Sequence, residues 1–175
     1  MAGQRDLLTG LRVAVLTCSD TRTARDDGAG DVLAQGVAEL GWTVVARALV
    51  PDEREQISAH LARWVRDGCC DVVLTTGGTG LGPRDVTPEA TLDILERLAP
   101  GLAELIRREG QRQTPFAALS RGVAGMAGQT LVVNLPGSPR AAAHALATLA
   151  PVLAHAVSML HGGGHPAPRG PDPGA

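Results

Sequence analysis

The sequence predicts an α/β fold with a mostly parallel sheet and right-handed crossovers, on three observations. Short β-branched and aliphatic runs alternate with segments of helical periodicity. Helix start and stop residues fall between them. A glycine-rich stretch, TTGGTGLGPRDVTPEAT at 75–91, follows one such run, where open α/β sheets bind their ligands beyond the carboxyl ends of the strands.

Taken in order, LRVAVLT (11–17) suits a buried strand, and the polar CSDTRTARDDGAG after it is a long loop. From Asp31, residues Val32, Leu33, Gly36, Val37 and Leu40 recur at helical spacing, and Gly41 stands where a helix C-terminal cap belongs. WTVVARALV (42–50) is a second strand. Asp52 opens the next helix in a D-x-x-E capping pattern completed by Glu55, with the stripe Ile57, Leu61, Trp64 and Val65 ending at Gly68. DVVLTT (71–76) is the third strand.

Thr87 and Pro88 form an N-cap and first-turn pair, launching a helix through Leu92, Ile94, Leu95 and Leu98 to Pro100. A further helix runs from Leu102 to about Arg112. GVAGMAGQTLVVNLP holds a strand pair turning near Ala127 and Gly128, most clearly Thr130–Asn134. Ser138 and Pro139 repeat the capping signature before an alanine-rich helix that Pro151 must kink or interrupt. From Gly162 the Gly/Pro-rich tail has no apolar content to bury and is expected to be disordered, leaving residues 1–161 as one domain.

The 175 residues suffice for a single core. Their 44% apolar and 19% charged composition is that of a soluble globular protein. No apolar run approaches the roughly 20 residues that span a bilayer, and MAGQRDLLTG does not look like a secretory signal. A cytoplasmic location without a membrane partner is expected. Sixteen basic residues, all arginine, against 18 acidic ones, with Trp42, Trp64 and Phe116 as the aromatics, argue against a nucleic-acid partner. Cys18, Cys69 and Cys70 lack both disulfide parity and zinc-site spacing and read as reduced thiols.

The loops after the first, third and last strands, CSDTR, GGTGLGPRD and LPGSPR, can converge. Gly77, Gly78 and Gly80 remove side chains so that backbone N–H groups can line an anion; the plain alternative is a tight connection, which needs fewer glycines. The stretch is neither a Walker A loop nor a dinucleotide fingerprint. Asp85 beside a phosphate site implies a cation, with Mg²⁺ held by one or two carboxylates and substrate phosphates, unless it only closes an Asx turn.

Arg84 either neutralises phosphate or is solvated, and N-capping fully accounts for Asp52. Ser19 and Asp20 end the first strand in a place suited to a ligand, although polar loops often contain such residues. Pro136 and Gly137 precede a second helix N-terminus that is an anion site or a simple turn. Ser120 and Arg121 are phosphate contacts or a helix terminus. His161 and His165, separated by glycines, do not suggest a metal site, and no Ser-His-Asp or Cys-His pairing stands out.

Five blocks in order, LTCSDT (16–21), VPDE (50–53), the glycine stretch, TPFAALSRGVAG (114–125) and TLVVNLPGSPRA (130–141), resemble the molybdopterin adenylyltransferases of the Mog/MoaB type, which include the G domains of plant Cnx and animal gephyrin. The resemblance spans about residues 11–161, and GGTG by itself would be a weak signal, since related pterin-binding domains share it. It implies a three-layer α/β sandwich with a mostly parallel, Rossmann-like central sheet, assembled as a homotrimer or hexamer.

It also implies Mg²⁺-dependent transfer of AMP from ATP to the terminal phosphate of molybdopterin, releasing pyrophosphate, with a molybdenum insertase as a downstream partner. By the same resemblance Asp85 is the catalytic, metal-binding acid and Asp52 a second acidic site position. Ser19, Asp20, Gly77, Gly78, Thr79, Gly80, Ser120, Asn134, Pro136, Gly137 and Ser138 match segments lining the pterin, phosphate and nucleotide pocket, with Arg84, Thr87 and Arg121 in the same blocks. The competing readings are a non-catalytic molybdopterin-binding or scaffold protein and, weakly, a nucleotide-binding oxidoreductase.

Overall fold

The computed structural model describes residues 10–163. Its strands are β1 (Arg12–Cys18), β2 (Thr43–Val50), β3 (Val72–Thr76), β4 (Arg97–Leu98), β5 (Ala124–Ala127) and β6 (Thr130–Leu135). Its helices are α1 (Gly28–Glu39), α2 (Arg54–Arg66), α3 (Thr87–Leu92), α4 (Pro100–Gln111) and α5 (Pro139–Leu160), with a 3-10 turn at Pro115–Leu119. The six strands form one sheet in the order β2-β1-β3-β6-β5-β4. β2, β1, β3 and β6 are parallel, while β5 and β4 add antiparallel pairs at one edge.

Strand alternation separates two cores, because successive side chains point to opposite faces. Val13, Val15, Val72, Leu74, Leu131 and Val133 pack beneath α1, α4 and α5. Ala14, Leu16, Val73 and Val132 pack beneath α2 and α3. The result is the expected three-layer sandwich. Because β1 has β2 on one side and β3 on the other, the chain reverses direction across the sheet there, opening a crevice at the carboxyl ends.

Several expected boundaries shift. α1 begins at Gly28 rather than Asp31, because the buried Asp27 caps it, accepting from the Gly30 N–H at 2.9 Å. The helix expected to run to Leu98 stops at Leu92. Asp93 is pulled to Arg54, with contacts of 2.8 and 2.6 Å, and Arg97 and Leu98 pair with Met126 and Gly125. Covering the β5 edge thus wins over helical spacing. Thr87 is the first residue of α3 rather than its N-cap; Val86 holds the cap position and the helix has no side-chain cap.

α5 runs unbroken through Pro151. Ala147, whose carbonyl loses its partner, and Pro151 are both exposed, which places the orphaned group on the solvent side. By length and composition α5 could cross a membrane, contrary to the sequence expectation. Its apolarity has another cause: Leu146, Leu149, Leu153 and Val157 are buried in the core beneath it. The expected strand pair is present as β5 and β6, turning at Gly128. Apart from Gly162 and Gly163, the expected disordered tail lies outside the described residues, as does His165.

Candidate functional site

The loops following β1, β2, β3 and β6 meet at one end of the sheet. The Thr76 hydroxyl donates to the Pro136 carbonyl at 2.7 Å, tying the glycine loop to the LPGSPR loop. Gly77 requires its missing side chain twice over: its φ is +95°, and a Cβ there would lie 2.3 Å from the Cys18 carbonyl oxygen. Gly78 has φ +62°, and a Cβ would meet Thr87 Oγ1 at 2.3 Å and Asp52 Oδ1 at 2.9 Å. The glycines therefore open a cradle rather than merely turning the chain.

Asp52 overturns the capping expectation. Glu53, not Asp52, occupies the N-cap position of α2, and no side chain caps that helix. The Asp52 carboxylate instead accepts from the Asp20 N–H through Oδ2 at 3.0 Å, while Asp20 Oδ1 accepts from the Asp52 N–H at 3.0 Å. A local D-x-x-E pattern cannot reveal this, because the competing partner lies on another loop.

Asp52 Oδ1 is buried without a hydrogen-bond partner, and so is Thr87 Oγ1. The Cys18 thiol beside Thr87 is only a weak partner. Both orphaned oxygens face the space above Gly78. Burial, together with the neighbouring Asp20 and Asp85 carboxylates, holds the Asp52 carboxyl above its usual range, against the backbone hydrogen bond from Asp20. Burial also pushes the Cys18 thiol up to about 12, so it is no nucleophile at neutral pH.

Asp85 Oδ2 closes the loop by accepting from the Gly82 N–H, three residues before it, at 2.8 Å, rather than from a residue ahead of it as an Asx turn would. The same carboxylate acts electrostatically on Asp52, placing two acids around one cradle. Arg84 is exposed, as one expected alternative had it, but its guanidinium is already paired with carboxylates. It bonds Asp20 at 2.9 and 3.1 Å and Glu53 at 2.8 Å, which lowers the Asp20 carboxyl. Among the described residues no group of three or more His, Cys, Asp and Glu side chains can hold a metal. Two carboxylates, one with an orphaned oxygen, suit a hard divalent cation that completes its shell with phosphate oxygens and water.

Beside the cradle lies a cavity of about 500 Å³. Of the expected site residues, Gly78, Thr79, Gly80, Asp85, Ser120, Pro136, Gly137 and Ser138 line it. Ser19 lies outside, where its hydroxyl caps its own turn by accepting from the Thr21 and Arg22 N–H groups. Asn134 is interior: its amide donates to Thr75 and Thr91 at 2.9 Å each and accepts from the Val123 N–H at 3.1 Å. Arg121 lies behind the glycine loop and donates to the Gly80 carbonyl at 2.7 Å.

The opposite wall was not anticipated. Arg107 and Gln113 come from α4 and its end, Thr114 and Phe116 from the 3-10 segment, and Arg140 and His144 from α5. Only Thr114–Phe116 and Arg140 fall in the quoted sequence blocks, and there they carried no individual signal. Arg107 is fixed by the Gly122 carbonyl at 2.9 Å, and Arg140 donates to Gln113 at 3.1 Å. Phe116 is 73% exposed at the rim. A cavity lined by the glycine loop, by apolar side chains and by Arg107 and Arg140 suits a ligand with both an apolar body and anionic groups.

The model of the family described as "Probable molybdopterin binding domain" matches residues 14–155. The molybdenum cofactor synthesis protein cinnamon of Drosophila melanogaster is 43% identical over 156 residues, 87% of this chain but 26% of that protein. The molybdopterin adenylyltransferase of Helicobacter pylori J99 is 33% identical over 87% of this chain and 89% of its own length. The crystal structure of the molybdopterin biosynthesis enzyme MoaB from Thermus thermophilus is 49% identical with a TM-score of 0.81, covering 87% of this chain and 97% of that one. The chain spans between 26% and 51% of the length of the first curated relatives it matches. With an α/β sandwich, a crevice at the strand ends and a family match running from β1 into α5, the chain belongs to the Mog/MoaB family of molybdopterin-binding domains.

Proposed function

We propose that this protein acts in molybdenum cofactor biosynthesis as a Mg²⁺-dependent molybdopterin adenylyltransferase. The observation that carries the reading is the orphaned Asp52 Oδ1, buried above Gly78 with the Asp85 carboxylate close enough to perturb it. A buried acceptor without a partner costs about 1 to 3 kcal/mol, and a bound cation removes that cost. Asp52 and Asp85 would hold Mg²⁺, which supplies charge neutralisation between the phosphates of the two substrates.

In this reading the terminal phosphate oxygen of molybdopterin attacks the α-phosphorus of ATP, the bond to the β-phosphate bridging oxygen breaks, and pyrophosphate leaves. The chain's task is to position two anions against their repulsion. Molybdopterin occupies the cavity, with Gly78–Gly80 and Ser138 at the α5 N-terminus binding anionic groups through N–H and hydroxyl donors. Arg107, Arg140 and His144 line the wall opposite. Ser19, Asp20, Thr87, Pro136 and Gly137 shape the crevice for the nucleotide. The attacking phosphate is ionised at neutral pH, so the chain supplies neither a nucleophile nor a general base.

A homotrimer or hexamer, a molybdenum insertase as acceptor of the product, and a cytoplasmic setting with access to ATP belong to the same proposal. Incubating the purified protein with molybdopterin and MgATP tests it: adenylylated molybdopterin and pyrophosphate are expected. Molybdopterin binding without product would instead establish a binding or scaffold protein.

A further inference from the structure

We infer that Arg121 is a positioning residue that holds the glycine loop and Asp85 in place, and that it is not an anion contact; the inference rests on the proposed adenylyl transfer only for its kinetic readout. Arg121 belongs to the segment between the 3-10 turn and β5, yet each of its nitrogens bonds the segment 79–89. Its backbone N–H donates to the Thr79 carbonyl at 2.8 Å. Nε donates to the Gly80 carbonyl at 2.7 Å. One terminal nitrogen donates to the Asp85 carbonyl and both engage the Glu89 carboxylate.

The guanidinium thus bridges both ends of the loop, Gly80 before its tip and Asp85 after it, and anchors them to Glu89 on α3. Arginine suits this because its donors lie in one rigid planar fork. Glu89 orients the fork and compensates its charge, which is why the Glu89 carboxyl is held below its usual range by Arg121.

The local geometry leaves little freedom once the clamp is closed. Idealised Cβ atoms at Gly80 and at Gly82 would each lie 2.8 Å from Asp85 Oδ2, so the loop wraps the carboxylate closely on both sides. The bond from the Gly82 N–H fixes the carboxylate from within, and Arg121 fixes the backbone carrying it from behind. The cavity does not include Arg121 among its walls. With four acceptors from the loop and α3 already engaged, the half-buried guanidinium is committed to neighbours in the chain.

Arg121→Gln and Glu89→Gln, with backbone amide hydrogen exchange and steady-state kinetics, test the inference. Exchange of amides 80–87 without ligand should accelerate by roughly 10-fold or more while the β1, β3 and β6 amides keep their protection. Turnover should fall by roughly 10- to 100-fold, the scale of a slightly misplaced reacting group, with KM for MgATP and molybdopterin moving by about 2-fold or less. Free guanidinium should restore part of the turnover of Arg121→Ala, and the Arg121→Gln/Glu89→Gln pair should be less than additive.

Raised KM with unchanged kcat and unchanged loop exchange would make Arg121 a substrate contact and overturn the inference. Uniformly faster exchange across the sheet would reduce it to a stability residue and overturn it equally. If the wild-type protein forms no product, the adenylyltransferase reading fails, while the local exchange pattern and its response to Glu89→Gln still decide the clamp.

Discussion

Asp20 and Asp52 exchange hydrogen bonds, each carboxylate accepting from the other's backbone N–H at 3.0 Å. The pair ties the loop after β1 to the loop after β2 and turns Asp52 away from the helix it was expected to cap. One Asp52 oxygen is consumed by Asp20 and the other is left over the glycine cradle. Arg84, bridging Asp20 to Glu53, neutralises the outer side of this pair. The inner side keeps one carboxylate oxygen without a hydrogen-bond partner.

Asp85→Asn should leave the fold and molybdopterin affinity near wild type, because the asparagine oxygen can still accept from the Gly82 N–H. Turnover should fall by roughly 100- to 1,000-fold, the range for losing one preorganised electrostatic group. Turnover within a few-fold of wild type would remove Asp85 from the mechanism.

Asp52→Asn should raise thermal stability at neutral pH while abolishing Mg²⁺-dependent turnover. The Asp52 carboxyl is held above its usual value in the folded protein, chiefly by burial. Its ionisation therefore opposes folding as pH rises through the folded value, and the penalty is absent below the ordinary 3.8, where both states are protonated. Melting curves from pH 3 to 8 should show no advantage of the variant below 3.8 and an advantage that grows as pH rises above 3.8 and levels off past the folded value. A constant difference would refute the electrostatic cause.

Gly78→Ala should fold with reduced stability, about 1 to 3 kcal/mol, through its left-handed backbone and the contact with Thr87 Oγ1. It should also lose Mg²⁺-dependent nucleotide binding, because the methyl group occupies the space before Asp52 Oδ1. Gly77→Ala should destabilise more, since its methyl group meets the Cys18 backbone carbonyl, which cannot rotate aside. Calorimetry of magnesium and nucleotide binding, alongside chemical denaturation, measures both effects.

Asn134→Ala should cost stability rather than affinity. It removes two buried donors and leaves the Val123 N–H without its acceptor, a loss of about 1 to 3 kcal/mol. Molybdopterin affinity should stay near wild type at temperatures where the variant is folded. A large affinity loss without destabilisation would return Asn134 to the pocket.

The fold was legible where a physical signal was local. β-branched runs marked β1, β3 and β6 because strands buried on both faces need continuous apolar sequence. Ser138 and Pro139 marked α5 because capping joins neighbours in the chain, and the Ser138 side chain does accept from the Ala141 N–H. The same logic failed at Thr87 and Asp52, where capping residues stand beside a helix start but face other segments. It failed again at Leu98, whose helical spacing was overridden by pairing with β5. The wall from Arg107 to His144 had no signal of its own, because a polar residue facing a cavity and one facing bulk solvent look alike in sequence.

The sequence by itself determined the alternation of strands and helices, the position of the glycine stretch after β3, and a set of blocks sufficient to suggest the family. Those follow from periodicity and from residue types whose conformational preferences act over a few positions. The tertiary structure decided which acids meet, which arginines are already paired, and that Asp52 and Thr87, both expected to cap helices, instead leave orphaned oxygens over the glycine cradle. Such facts depend on contacts between residues far apart in the chain, Asp20 with Asp52 and Arg121 with Gly80, Asp85 and Glu89, and a hydrogen bond goes to whichever partner the fold brings within reach.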